Sequence, residues 1–289
     1  MTILQIIQDV CLELSLPKPA TVIGNTDLTT QQLLAIAHDD IDQMRRAHEW
    51  PELAKEATVT LVTSQASYAL PGDYLKQIPG THWDLNNQWE LNGPLTPQEW
   101  QYYKSGIVNV GLRRRFRVKG ATTKQLFIDP TPDSSEAGQE LRYEYISLSA
   151  LRPRTWVTGI TFIAGSYCFY DGNIYTTTAG GVSGATAPTH TTGSASDGGI
   201  DWAIYTDPYQ RYLADTDMPL LDSQVHKKGI RWRWLEAKNM AAAAQKYEHG
   251  VMLQAAKTNL SGMRDVNLSG CSSQGPRFFP NIPDHGFGS

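Results

Sequence analysis

Apolar positions open the chain at a helical spacing. After Thr2-x-x-Gln5, the pattern of a capping box, Ile3, Ile6, Ile7, Val10 and Leu14 recur at threes and fours and predict one apolar helical face. Pro17 and Pro19 stop it. A second box pattern, Thr29-x-x-Gln32, predicts a longer helix with Leu33, Ala37, Ile41, Met44 and His48 on one stripe. It closes near Trp50-Pro51, because the residue before a proline disfavours helix. Helix returns after Asp222, where Val225, Ile230, Trp234 and Leu235 share one broad side as far as Asn239. Residues 240–260 predict another helix, rich in alanine, with Ala241, Ala242, Ala243 and Ala244 small enough for close helix approach. Helices gain most of their stability from burial, so these are expected to pack together.

Between the helical ends the period changes from 3.6 to 2. Residues 58–63 alternate, with Val59 and Leu61 on one side. Turn residues Ser64-Gln65-Ala66-Ser67 then lead to Tyr68-Ala69-Leu70, which predicts a hairpin closed by Pro71-Gly72-Asp73. Further strands are expected at 115–118, 126–128 and 140–146, separated by Gly120 and the breaker run Asp129-Pro130-Thr131-Pro132-Asp133. Thr96-Pro97 opens a short helix through Trp100 and Tyr103.

Composition divides the chain further. Residues 155–205 hold no Lys, Arg or Glu, only Asp171, Asp197 and Asp201 as charges, and nine of the 24 glycines. Short runs at 162–163, 167–170, 174–177 and 200–202, split by turns such as Asp171-Gly172-Asn173, predict a small all-β module inserted in a host loop whose ends lie close together. After Gly262 the pattern fails, and 264–289 is an extended tail punctuated by Phe278, Phe279, Ile282 and Phe287 that has no core of its own. The expected class is therefore α+β: a bundle of N-terminal and C-terminal helices packed with a small antiparallel β region (1–154 and 206–263), the inserted module (155–205) and the tail (264–289).

Charge excludes a coat for nucleic acid or an anionic membrane, since 25 basic against 29 acidic side chains leave a formal charge of -4. No apolar stretch approaches the ~20 residues that cross a bilayer, and Asp9 and Glu13 without a basic leader do not read as a signal peptide. Cys11, Cys168 and Cys271 are too scattered for a metal or redox motif and read as reduced thiols of a protein made in a cytoplasm. Only 19% of the residues are charged, which suggests surface reserved for partners.

Candidate chemistry is sparse. The seven histidines form no H-E-x-x-H or comparable spacing, and there is no G-x-S-x-G elbow. His38 and His226 are expected to be surface or packing residues. Asp39-Asp40-x-Asp42 reads as a solvated helix face, and Asp215-x-Asp217 as capping at a helix start. Gly180-Gly181-Val182-Ser183-Gly184 lacks the Lys-Ser/Thr and the following helix of a phosphate loop. Asp197-Gly198-Gly199-x-Asp201 reads as a solvated turn, short of the six to eight oxygens that calcium takes. No catalytic residue, cofactor or metal is expected. Arg113, Arg115, Arg117 and Lys119 would share one face of a strand as a basic stripe. Salt bridges to an acidic partner surface come first for it, a solvated strand second and DNA contact third. Of Trp232 and Trp234, one is expected in the core and the other at a subunit interface, where Trp and Arg are enriched. Tyr167, Tyr170, Tyr175 and Trp202 are candidates to contact a fibre or stack on sugar rings, and equally to form the module's own core.

The order of several segments carries a resemblance. Tyr68-Ala69-Leu70-Pro71-Gly72-Asp73-Tyr74 follows two helices. Then come Phe127-Ile128-Asp129-Pro130-Thr131-Pro132, the strand around Tyr143-Glu144-Tyr145, and Asp215-Thr216-Asp217-Met218-Pro219-Leu220-Leu221 before a Trp-rich helix. Over 1–150 and 206–262 this resembles the head-to-tail adaptor (head completion, tail tubular A-like) proteins of short-tailed phages. The inserted stretch looks like a Gly/Thr-rich β module of phage tail and fibre proteins. The resemblance implies a virion protein of the neck, a ring of twelve copies docked beneath the portal protein. Such a ring extends the DNA channel toward a tail nozzle protein and gives fibres or spikes a place to attach, with DNA passing without sequence-specific binding. A carbohydrate-binding or wall-degrading tail protein is the alternative.

Overall fold

The computed structural model describes residues 1–105, 114–120 and 123–260. It is a mixed fold of helices and antiparallel sheets. Helix α1 (Ile3–Glu13) starts at the expected box: Gln5 N donates to Thr2 Oγ1 at 3.3 Å and Thr2 N to Gln5 Oε1 at 3.0 Å. Its buried side is Ile3, Ile6, Ile7, Val10 and Cys11. Helix α2 (Leu28–Ala47) begins earlier than the Thr29 pattern predicts. Asp27 is its cap, because its carboxylate accepts both the Thr30 N–H (2.9 Å) and the Thr30 hydroxyl (3.0 Å), so Thr29 already lies in the first turn. Past its end, Trp50 folds back and donates its indole N–H to Met44 O at 2.7 Å. Helix α3 (Pro97–Ser105) closes a box with Glu99, which accepts from the Thr96 N–H at 2.8 Å. Helix α4 (Ser223–Ala237), capped by Asp222, touches α1, α2 and α5 (Ala243–Leu260). The expected inward side of α4 is buried, together with His226 and Gly229.

The middle of the chain builds two small sheets. Its strands are β1 (Ala54–Thr60), β2 (Ser67–Ala69), β3 (Tyr74–Gln77), β4 (Trp83–Asp84), β5 (Trp89–Glu90), β6 (Arg115–Lys119), β7 (Gln125–Asp129), β8 (Glu140–Ser147) and β9 (Leu151–Arg152). One sheet runs β1-β8-β4-β5, with β3 also on β8, and the other β2-β7-β6. The expected hairpin does not form. β1 pairs along its whole length with β8, from Ala54↔Ile146 to Thr60↔Glu140, whereas β2 pairs with β7. The turn between them crosses from one sheet to the other, pinned where the Val62 N–H donates to Tyr68 Oη at 3.0 Å. This puts Val59 and Leu61 against Tyr68, Leu126 and Tyr143 in one shared core, burial that a two-stranded ribbon cannot supply.

Residues 155–205 have a core of their own, Phe162, Cys168, Tyr175, Ile200 and Trp202. Strands β10 (Thr161–Phe162), β11 (Tyr167–Tyr170), β12 (Asn173–Thr177), β13 (Gly181–Val182), β14 (Ser194–Ser196) and β15 (Asp201–Ile204) form a sheet ordered β11-β12-β15-β14 and a β10-β13 ribbon. The β11–β12 turn has positive φ at Asp171 (45°) and Gly172 (81°), which matches the twist of a two-residue hairpin. The chain arrives with Thr155 bridged to Phe169 and leaves with Tyr205 N donating to Ile174 O. Phe169 and Ile174 are cross-strand partners, so both ends meet one hairpin. Beyond it, β16 (Met218–Pro219) pairs with β9.

The glycine-rich stretches serve close packing. A methyl group at Gly181 would overlap Gly199 O, and one at Gly184 would overlap Asp197 O. Asp197 is correspondingly not in a solvated turn. It is buried and accepts from the indoles of Trp202 (3.0 Å) and Trp156 (3.3 Å) and from the Gly199 and Ile200 N–H groups.

Candidate interface surfaces

The basic stripe is not an open surface. Arg113 lies outside the described residues. Arg115 is buried, 3.3 Å from Asp129 Oδ2 with its guanidinium 4.2 Å from the Tyr103 ring centre. Arg117 is half-buried, and the exposed Lys119 holds its ammonium 3.9 Å from the Phe127 ring centre. Salt bridges to an acidic partner are therefore corrected for Arg115, whose charge is answered by the hairpin partner β7. Strand alternation placed the face correctly and missed that its Arg115 end is covered. On the other side Arg114, also buried, meets Glu136 and Asp84.

Of the two tryptophans, Trp234 is buried in the main core. Trp232 is half-buried beneath α5, between the Arg233 guanidinium (4.5 Å) and the Lys246 ammonium (4.7 Å). It also lines an open groove of about 500 Å³ between α2 and α4 with Ala35, Ile36 and Ala237. Phe278, Phe279, Ile282 and Phe287 lie outside the described residues, as does Cys271. In the module, Tyr175 and Trp202 are fully buried, which corrects their assignment as fibre- or glycan-contacting residues: both rings are spent on the module's core. Tyr167 and Tyr170 are half-buried, Tyr167 against Tyr205 and Tyr209, Tyr170 edge-on to Trp156.

One of the carboxylates expected at the surface is internal. Asp40 is fully buried among three helices. Arg233 of α4 donates to its Oδ1, His226 Nδ1 lies 2.6 Å from its Oδ2, and His249 Nε2 of α5 lies 3.9 Å from Oδ1. Tyr212 Oη, 3.1 Å from His226 Nε2, extends the chain of contacts. A methyl group at position 229 would overlap the Asp40 carboxylate. A glycine inside α4 costs about 1 kcal/mol of helix propensity, and here it lets α2 and α4 meet. That glycine was the available signal for the site. His226 is thus a packing residue, as expected, while the Asp39-Asp40-x-Asp42 run is solvated only in part. Asp215 and Asp217 do not cap the helix that follows them; their backbone carbonyls instead accept the Leu4 (3.3 Å) and Ile3 (2.8 Å) N–H groups at the start of α1. Asp215 Oδ1 accepts the Val22 and Ile23 N–H groups. Asp217 Oδ2 accepts from Leu213 N, Ala214 N and Tyr209 Oη, and burial pushes its acid up from the usual range.

Helix α5 presents an apolar row that periodicity alone does not place. Ala244, Tyr247, Val251 and Ala255 are all exposed, whereas Met252, Leu253 and Ala256 pack against the core. The alanines at 241, 243 and 244 are exposed in the connector and first turn, so among the described residues they do not serve the close helix approach expected of them. Among the described residues, no helix is long and apolar enough to cross a membrane, and no group of three His, Cys, Asp or Glu side chains is placed to hold a metal. Cys11 and Cys168 are free and buried, and burial pushes the Cys168 thiol up to about 12.

Comparison with known families is decisive: residues 1–270 match the SU10 adaptor protein family. The chain belongs to that family. It is a phage adaptor, a structural component of the virion. The match runs through 155–205, so these residues fall within the region matched to the SU10 adaptor family. No curated protein matches the chain.

Proposed function

We propose that this SU10 adaptor works as a ring, of twelve copies, docked beneath the portal protein of a short-tailed phage. The ring extends the DNA channel, receives the tail nozzle and offers fibres or spikes a place to attach. The observation that carries this reading is the apolar row on α5, left bare in a protein whose family is structural. Large exposed apolar side chains in rows favour association, since burying them removes apolar area from water. The net charge of -4 suits a conduit that DNA passes without holding. The protein is not an enzyme in this reading, which draws on its adaptor family and on acids such as Asp40 and Asp197 that are held by partners inside the fold. Residues 155–205 project outward as a docking surface for tail components, and the segment 264–289 reaches into a neighbour's groove.

Mass measurement of the purified protein with and without portal rings tests the assembly: a monomer alone and a defined multimer on the portal are expected, and a monomer in both overturns it. Deleting 264–289 is expected to leave a folded monomer that does not assemble. Full assembly by that deletion refutes the tail's role. Excising 155–205 is expected to impair adsorption or tail completion, and unchanged particles with unchanged adsorption would remove the docking role.

A further inference from the structure

Helix α5 is held to its own chain differently from the other long helices. Among the described residues its one buried side chain is His249, whereas α1, α2 and α4 each bury five to seven. Met252, Leu253 and Ala256 are half-buried against the core. The helix folds back along α4 through two ion pairs, Lys246–Glu236 near the bend and Glu248–Lys228 further on, each 3.1 Å long. Both carboxylates are exposed, and exposed pairs add little. His249 keeps Nε2 buried with no hydrogen-bond partner among the described residues, 3.9 Å from Asp40 Oδ1. The seat on α4 therefore fits α5 without holding it strongly.

The bend between the two helices depends on one residue. Helix α4 ends in a Schellman motif, in which Met240 N donates to Leu235 O at 2.8 Å and Asn239 N to Glu236 O at 3.0 Å. Asn239 stands at φ 55°, a left-handed conformation that asparagine tolerates better than most side chains. The rest of the connector favours helix: Lys238, Met240, Ala241 and Ala242 are good helix formers, and no Gly or Pro lies between Gly229 and Gly250. Right-handed values at Asn239 would join α4 and α5 into one helix over 223–260. The exposed alanines thereby gain a purpose that the bent form does not give them.

We propose that α5 is an exchangeable arm, which swings out as a continuation of α4 and takes the α5 seat on a second copy, its His249 facing that copy's Asp40. The seat's fit to the arm needs no new surface, since the same contacts already exist within one chain. Bent and exchanged forms differ at the hinge and in how many copies share the contacts. Passed from each copy to the next, the arms close a ring; traded between two copies, they make a dimer. The exchange deepens the ring reading above and rests on it for the closed form. Copies gathered on a portal are at high local concentration, which favours exchange there over exchange in dilute solution.

Full-length Glu236→Cys and Lys246→Cys, each carrying Cys271→Ser, are mixed, assembled on portal rings and treated with a short bis-maleimide. These positions meet within one chain in the bent form, so linkage between copies reports exchange. A linked dimer in the mixture, at least tenfold less with either variant alone, is expected. Val251→Cys, on the outer row of α5, is the control in place of Lys246→Cys, and equal linkage from it means face-to-face packing and overturns the exchange. Rings that form without linkage overturn the exchange and spare the ring. A wild type that forms no ring on portals defeats the ring, and the same mixture concentrated without portal then decides: a linked dimer supports the exchange, and none overturns it. The hinge is read in portal-free dimer yield. Asn239→Ala, which disfavours the bend, is expected to give several-fold more dimer than Asn239→Gly, which eases it, and equal or reversed yields overturn the hinge.

Discussion

Asp40 and Asp197 each stand at the centre of a region, and they are stabilised in opposite ways. Asp40 is held by side chains from far away in sequence, Arg233 and His226 on α4, with His249 of α5 nearby. Asp197 is held by neutral donors, two of them N–H groups only two and three residues on, at Gly199 and Ile200. Burial pushes the Asp197 acid up, but the donors from Trp202, Gly199 and Ile200 outweigh this and hold it below its usual range. The difference teaches what each region needs. Three helices brought together by a buried charge depend on its partners staying in place, because a lone buried charge is costly. A charge-poor β module has no cation to offer, so it solves the same problem with oriented dipoles.

The largest test of this contrast is Asp40→Asn. It leaves the mostly buried Arg233 guanidinium with only the exposed Asp39 carboxylate as countercharge, 3.6 Å from Nε, and a loss at the lower end of roughly 3–5 kcal/mol is expected in urea unfolding. A loss below about 1 kcal/mol would mean that the charge pairing does not hold the helices. Asp197→Ala is expected to cost less, about 2–3 kcal/mol, since several neutral donors lose one acceptor. Its effect should be local: amide exchange should quicken from β11 to β15 while α2 and α4 keep their protection. Loss of protection in both regions together would show that they unfold as one.

Acid weakens both regions but in different pH windows. Burial pushes the His82 imidazole, stacked between Phe116 and Tyr143, down to about 4 from 6.5. His38, which accepts the Tyr212 N–H at 3.1 Å, is likewise pushed down to about 4, first by burial and then by Arg211. A histidine with a depressed native value takes up its proton more readily when unfolded. The stability it gives is therefore present above 6.5 and lost as pH falls toward 4, about 2 kcal/mol from His82 by pH 5. Asp197 runs lower: its contribution is present above about 3.8 and is lost only below that. Unfolding followed by module and host probes at pH 7 and pH 5 should show the host weakening first, and His82→Phe should flatten that slope. The smallest effect is at the first cap, where Thr2→Ala should cost about 1 kcal/mol, read as a lower urea midpoint with the module's own exchange unchanged.

Much of the helical plan was legible because it is local. The Thr2 box, the Thr96-Pro97 start, the inward faces of α1 and α4 and the strands near 115–118, 126–128 and 140–146 all follow from spacing and caps. The Asp27 cap was missed for a local reason too, since Thr29-x-x-Gln32 offered a rival box two residues further in. The interface side chains were less legible. Strand alternation set Arg115 on a face with Arg117, but only the pairing of β6 with β7 brings Asp129 to it. Tyr175 and Trp202 carry the chemistry of a sugar platform and the burial of a core, and sequence has no term that separates the two.

By itself the sequence determined where α1, α3 and α4 begin, which helix faces turn inward, and that 155–205 differ from their surroundings. Those properties are set by neighbours within a turn or a strand, where backbone geometry fixes the distances. The tertiary structure alone decided that β1 leaves β2 for β8, that Asp40 is buried against Arg233 and His226, and that the outer row of α5 is bare. Each of these depends on groups as much as 193 residues apart, and what settles them is the burial of shared apolar area and the pairing of buried charge across elements.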